Sequence, residues 1–291
     1  MAELLNKITF GGDATSSSPA LANSNDTFMA LARTLRDGNN YVEFSMRGES
    51  FDDELILGSG DNTGCGFTVR GPVGSEELIV ANRTLDQGGP GFVTVYRRSL
   101  GPPFSEIKTD VKQAETDFIP AVASLGGYIY LAWTRLDNHL NIAPDPNNFY
   151  PPNTLNDTSN SGPSLTVIDG ALYLLWQGRD DPPHLNIAEY VPSGKAGGVL
   201  TFVGKNTIGQ TSDFAPALTR LGDTFVLAWT GRDDAQSLNT LKGTDLFTMS
   251  DHSVYTDHSE IGPTLTTFQG EVYIGWEGRD INHFHNIAIV P

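Results

Sequence analysis

Short, mostly apolar runs, each closed by an aromatic residue and then a polar turn, recur along the chain. Leu172–Trp176 continues into Gln-Gly-Arg-Asp-Asp, Phe225–Trp229 into Thr-Gly-Arg-Asp-Asp, and Val272–Trp276 into Glu-Gly-Arg-Asp. Ile129–Trp133 is followed by Thr-Arg-Leu-Asp. Weaker copies span Phe28–Asp37 and Leu78–Asp86, where Arg33 and Asn82 stand in the tryptophan's place. Runs this short, rich in β-branched and aromatic residues, predict strands rather than helices. Before each run lies another short apolar segment. Ser164–Ile168 is joined to Ala171–Trp176 by Asp169-Gly170, and the same slot holds Gly126-Gly127, Gly222-Asp223 and Gln269-Gly270. Asp-Gly supplies the positive φ that a two-residue hairpin turn requires. A third strand is predicted over His184–Tyr190, echoed by Leu140–Ala143 and His285–Val290, and a fourth over Val199–Thr207. No comparable stretch carries sustained helical periodicity.

The polar turns set the period. Asp37, Asp86, Asp137, Asp180, Asp233 and Asp280 close the six copies, spaced by roughly 49 residues, in the range of propeller blades. Six four-stranded meanders predict an all-β, six-bladed β-propeller, one domain over 1–291. The last copy stops after three strands. Lys7–Leu21 resembles Gly204–Leu218, which covers a fourth strand and the approach to the next blade. Residues near Leu4–Phe10 are therefore expected to supply the missing outer strand and close the ring.

Composition narrows the function. With 18 basic and 35 acidic residues the net charge is −17, which disfavours nucleic acid and anionic membrane surfaces as partners. No apolar stretch is long enough for membrane insertion. Cys65 is the single cysteine, so neither an internal disulfide nor a cysteine-rich zinc site is available. The N-terminal residues lack the basic and apolar regions of a signal peptide, which predicts a cytoplasmic protein or one released without such a signal. The Asn-x-Thr sites at Asn25, Asn82 and Asn156 carry little weight without a secretory route.

Two sets of polar residues repeat with the strands. The first follows the second strand: Trp133, Arg135 and Asn141; Trp176, Arg179 and Asn186; Trp229, Arg232 and Asn239; Trp276, Arg279 and Asn286. The second precedes the first strand, as Thr/Ser-x-x-x-Pro at Thr15–Pro19, Thr116–Pro120, Ser159–Pro163, Ser212–Pro216 and Ser259–Pro263. Blade topology puts both on one rim. Each set has a structural reading. Turn aspartates accept backbone N–H bonds, proline suits the start of an inner strand, and tryptophan can wedge between blades. The binding reading uses the same tryptophan faces for sugar C–H surfaces, with Arg and Asn addressing paired hydroxyls. The six aspartates are assigned to the turns, and the Trp, Arg and Asn sets to candidate ligand binding.

Those repeats resemble β-propeller lectins, with sialidase-like propellers as more distant relatives. The likeness spans the whole length but rests on blade architecture and the aromatic-plus-polar repeat. The Ser-x-Asp-x-Gly-x-x-Trp boxes of sialidases and the Trp-Asp dipeptide of WD repeats are both missing. What the resemblance implies is a glycan or glycoconjugate partner, shallow sites on one face, and no catalytic residue, cofactor or metal. A scaffold that binds a protein partner is the alternative, and a glycoside hydrolase of sialidase type the second. Against catalysis stands the repetition itself: Asp117, Asp213 and Glu260 share one slot, whereas an active site breaks a repeat. Arg179, Arg232 and Arg279 are spread over three blades for the same reason. His252, His258, His283 and His285 lack metal-ligand spacing, and His283 and His285 are expected as a surface pair on one strand face. Asp180-Asp181 and Asp233-Asp234 do not match a calcium loop. Gly58–Gly66 has no lysine to hold phosphate.

Overall fold

The structure is a computed structural model. It describes residues 1–291 except 12–16, 18, 25, 36–38, 46–50, 60–63, 86–88, 103–104, 146–148, 150 and 280–282, and the side chains of 52–54 and 59. Among the described residues the chain forms six four-stranded antiparallel sheets. Blade 1 comprises β2 (Ala20–Ser24), β3 (Phe28–Thr34), β4 (Asn39–Ser45) and β5 (Asp52–Ser59). Blade 2 comprises β6 (Cys65–Arg70), β7 (Glu77–Thr84), β8 (Phe92–Ser99) and β9 (Glu106–Glu115). Blade 3 comprises β10 (Ala121–Leu125), β11 (Tyr128–Thr134), β12 (His139–Pro144) and β13 (Asn153–Thr158). Blade 4 comprises β14 (Ser164–Ile168), β15 (Ala171–Gln177), β16 (His184–Pro192) and β17 (Leu200–Thr211). Blade 5 comprises β18 (Ala217–Leu221), β19 (Thr224–Thr230), β20 (Ser237–Gly243) and β21 (Asp251–His258). Blade 6 takes β22 (Thr264–Phe268), β23 (Glu271–Glu277) and β24 (His285–Ile289) from the C-terminal end and β1 (Leu5–Phe10) from the N-terminal end.

The predicted six-bladed ring and its closing strand are both present. β1 pairs antiparallel with β24 through Leu5↔Ile289, Ile8↔Ile287 and Phe10↔His285. Ala2 extends this closure, its amide donating to the Val254 carbonyl at 2.8 Å on blade 5. Strand limits differ from the sequence reading mainly in blade 4, where β16 and β17 run on to Pro192 and Thr211.

The core is divided among the seams between blades. β3 and β15 are buried at every residue and β11 at every residue after Tyr128, because a second strand has a neighbouring blade against each face. That is why these runs read as continuously apolar rather than alternating. Ile129, Leu131 and Trp133 pack with Ile79, Val93 and Val95 of blade 2, and Leu172, Leu174 and Trp176 with Ala121, Tyr130 and Ile142 of blade 3. Trp229 and Trp276 fill the next two seams in the same way. The seam from blade 6 to blade 1 has no tryptophan. Arg33 takes the slot, its guanidinium 5.1 Å from the Phe10 ring and paired with the Glu43 carboxylate.

Inner strands surround an open channel of about 700 Å³, lined in turn by Ala22, Thr68, Ala123, Thr166, Thr219 and Thr266. Among the described residues no helix is long and apolar enough to cross a membrane. Removing residues 2–10 strips blade 6 of its outer strand and leaves β24 as an open edge. The thermal midpoint of that truncation should fall by ten degrees or more, on the order expected for a loss of several kcal/mol. A midpoint equal to that of the full chain would contradict closure by β1.

Candidate functional site

The loops entering blades 3 to 6 are each built by a hydroxyl. The Thr116 Oγ1 accepts from the Phe118 amide at 3.0 Å, and the Ser159, Ser212 and Ser259 hydroxyls accept from Ser161, Phe214 and Ile261 at 3.1, 3.1 and 3.4 Å. All four hydroxyl residues are fully buried. This tight turn projects the following residue outward: Asp117, Asn160 and Asp213 are exposed, and Glu260 is half-buried. Asp117, Asn160 and Asp213 line the channel mouth with Phe118, Phe214 and Ile261.

The turns after the second strands meet these loops. Arg232 Nε lies 3.0 Å from Asp213 Oδ1, and Arg279 Nε lies 3.5 Å from Glu260 Oε1. Arg83, in the slot after Asn82, reaches Asp117 at 3.2 Å and donates to the Thr116 carbonyl at 3.0 Å. Arg279 also donates to the Asp234 and Ala235 carbonyls at 2.9 and 3.0 Å, clamping blade 6 to blade 5. In blade 4 the acid's place is taken by Asn160, and Arg179 is exposed. Arg135 is not equivalent to the other three arginines. It follows Thr134 directly and pairs with Asp137 of its own turn at 3.5 Å, with Leu136 in the slot of Arg179.

The tryptophan and asparagine assignments are corrected by burial. Trp133, Trp176, Trp229 and Trp276 are all at most 2% exposed, and their faces are covered. Lys205 lies 5.0 Å from the Trp176 ring, Lys7 lies 5.2 Å from Trp276, and His252 stacks on Trp229 at 5.4 Å. They hold the seams together and leave no face for a sugar. Each is paired across the sheet with an asparagine: Trp133↔Asn141, Trp176↔Asn186, Trp229↔Asn239 and Trp276↔Asn286.

Those asparagines are spent on the blade. Their Nδ2 groups donate to the carbonyls of His139, His184, Ser237 and Phe284, at 3.3, 3.0, 2.8 and 2.8 Å. Their Oδ1 atoms face the outer strand. Thr154, Thr207 and Thr9 hydroxyls each donate to Asn141, Asn186 and Asn286 at 2.7 Å, and His252 Nε2 meets Asn239 at 3.0 Å. A buried amide satisfied at both ends locks register across three strands.

The described turn aspartates bind their own turns. Asp137 accepts from the His139 amide at 3.2 Å, and Asp180 is paired with the His184 ring, which holds its carboxyl below the usual range. Burial alone would raise the Asp233 carboxyl, but the Ser237 hydroxyl and amide, at 2.7 and 3.0 Å, bring it below the usual range. Asp37, Asp86 and Asp280 lie outside the described residues.

His283 and His285 do not form a surface pair. His283 precedes β24 in a left-handed conformation (φ 52°), while His285 is fully buried and donates from Nε2 to the Ser17 carbonyl at 2.7 Å. Burial, reinforced by nearby Arg33, pushes the His285 imidazole down to about 4 despite that bond. Glu277 escaped notice too, although it stands fully buried where Thr134, Gln177 and Thr230 stand in other blades. The break in the repeat was the available signal. Among the described residues no group of three or more His, Cys, Asp or Glu is arranged to hold a metal ion.

Comparison with known proteins gives the architecture a setting. No family model matches the chain, and none of the curated proteins does. Solved structures do. Aleuria aurantia lectin in complex with α-methyl-L-fucoside matches with a TM-score of 0.65 at 8% identity, over 100% of this chain and 97% of that one. Trypanosoma rangeli sialidase in complex with 2,3-difluorosialic acid matches with a TM-score of 0.58 at 11% identity, over 99% of this chain. This chain spans only 57% of the sialidase's length. A glucose dehydrogenase matches with a TM-score of 0.59 at 10% identity, over 98% and 99% of the two chains. At such identities the shared property is the propeller fold.

Two outcomes follow from the burial pattern. Trp176→Ala should lower unfolding free energy by about 3–5 kcal/mol in denaturant titrations, and a change below about 1 kcal/mol would contradict its role at the seam. For His285, the folded pKa lies below the unfolded one, so its contribution is complete above about pH 6.5 and is lost as pH falls toward 4. The loss is roughly 3 kcal/mol. His285→Leu, matching Leu185 and Leu238, should remove that part of the acid sensitivity; equal acid sensitivity in both proteins would refute it.

Proposed function

We propose that the chain is a carbohydrate-binding propeller whose sites lie on the rim around the channel mouth. The observation that carries this reading is the repeated guanidinium–carboxylate pair, Arg232–Asp213 and Arg279–Glu260, with every side chain roughly 40–55% exposed. Each guanidinium keeps N–H donors beyond its ion pair, and each carboxylate keeps lone pairs. A planar donor fork beside an acceptor suits adjacent sugar hydroxyls. Half-buried Phe118 and Phe214, one residue after the acids, offer the apolar surface that the tryptophans cannot. Their Asp-Phe repeat at 117–118 and 213–214 was open to view in the sequence. The lectin and the sialidase named above support the reading to the extent that propellers of this shape carry sugar ligands in both.

Several such pairs on one face favour multivalent glycans over single sugars. A glycan array spanning neutral and acidic structures should therefore show signal. Arg232→Ala should weaken it about tenfold or more, equivalent to about 1.4 kcal/mol, while the melting temperature stays nearly constant, since an exposed ion pair adds at most about 1 kcal/mol to stability. Silence across the array would reject carbohydrate binding.

A further inference from the structure

Blade 6 departs from its siblings at two positions that the fold brings together. The residue after the tryptophan is Thr134, Gln177 or Thr230 in blades 3 to 5, and Glu277 in blade 6. The residue three before the asparagine is Asn138, Pro183 or Gln236 in those blades, and His283 in blade 6. Asn138, Gln236 and His283 share a left-handed backbone, with φ of 68°, 54° and 52°, so the backbone conformation at this position is kept while the side chain changes.

His283 Nδ1 lies 2.5 Å from Glu277 Oε1 and 4.0 Å from Glu260 Oε2. The Glu277 side chain is fully buried, and that of His283 is 28% exposed. Glu260 is held from its other side by Arg279, itself bound to two carbonyls of blade 5. An imidazole and a carboxylate are thus each fixed by a separate anchor, side by side on the rim. Among the described residues, the Arg232–Asp213 pair of blade 5 has no third group of this kind. Contacts fixed in advance lose less entropy on binding.

The chemistry of the two groups selects the ligand. In the neutral imidazole, a buried carboxylate facing Nδ1 favours the proton on that nitrogen, and Nε2 is then the acceptor. Glu260 is an acceptor as well. Two neighbouring acceptors call for two neighbouring donors, as in the vicinal hydroxyls of a neutral pyranose, and they repel a ligand carboxylate. Resting on the carbohydrate-binding reading, we propose that blade 6 is the high-affinity subsite for neutral vicinal-diol sugars. His283 is its specificity-determining contact, and Glu277 is the positioning residue behind it.

The variants are templated by sibling blades: His283→Gln copies Gln236 of blade 5, and Glu277→Gln copies Gln177 of blade 4. NMR titrations would use the methyl α-pyranosides of glucose, mannose and galactose, with methyl glucuronide as the acidic counterpart. A neutral pyranoside should move the His283 Nε2 resonance, and the imidazole proton should reside on Nδ1. His283→Gln should weaken that binding at least tenfold. Glu277→Gln should weaken it less and redistribute the proton between the two ring nitrogens, a change that a merely structural role would not produce. Wild-type affinity in His283→Gln, coupled with loss in Arg232→Ala, would overturn the subsite while leaving carbohydrate binding intact. Preference for the glucuronide would do the same. If no pyranoside moves any rim resonance and the array is also silent, carbohydrate binding itself fails.

Discussion

The second strand of each blade is apolar on both faces, and the rest of the structure depends on that. A lone four-stranded sheet can hide one face against a partner, not both. Leu131 and Leu174, fully buried, are shielded only because blades stand on either side. The ring must therefore close, and β1 beside β24 closes it. Where the seam chemistry changes, as at Arg33 between blades 6 and 1, the guanidinium needs both a carboxylate and an aromatic ring to occupy a tryptophan's place. Burying that charge would otherwise be costly.

Closing the ring also decides which polar residues remain for other work. The asparagine beside each tryptophan is bonded to its own strand on one side and to the outer strand on the other. The buried hydroxyls of the loops entering blades 3 to 6 are likewise committed, and so are the described turn aspartates. Beside these lie the loop acids with the arginines that meet them, and Asp117, Asp213, Phe118 and Phe214 line the channel mouth. Residues that vary from blade to blade are therefore the ones free to differ in chemistry.

Most of the fold was legible in the sequence because its determinants are local. Asp169-Gly170 fixes a hairpin, the run ending at Trp176 fixes a two-faced strand, and the period fixes the number of blades. The site was less legible, because a sequence repeat does not tell which way a side chain points. Trp176 and Asn186 were marked as candidate ligand contacts because they recur, yet they recur because every seam needs them. Arg232 and Arg279 were marked for the same reason and lie on the rim. No spacing rule pairs Glu277 with His283, whose side chains meet only in the folded blade. Strand alternation alone places His285 on the surface, because it does not reveal the Ser17 carbonyl that meets its ring.

Glycine in the inter-blade loops has a further consequence. At Gly162 a Cβ would fall 2.2 Å from the Ile119 carbonyl oxygen, and at Gly262 it would fall 2.7 Å from that of Ala215. Blades 3 and 5 carry Ile119 and Ala215 at the same loop position. Thr134 and Thr230 donate forward to the loops of blades 4 and 6, at 2.7 and 2.6 Å, and Lys205 and Lys7 tie back to Asp157 and Asp257. Across these four blades the unit that repeats is a couple, a donor blade followed by a glycine-loop blade. Like surfaces consequently recur every second blade, a third of a turn apart, so a branched ligand would meet them at a wider pitch than six equal blades would set.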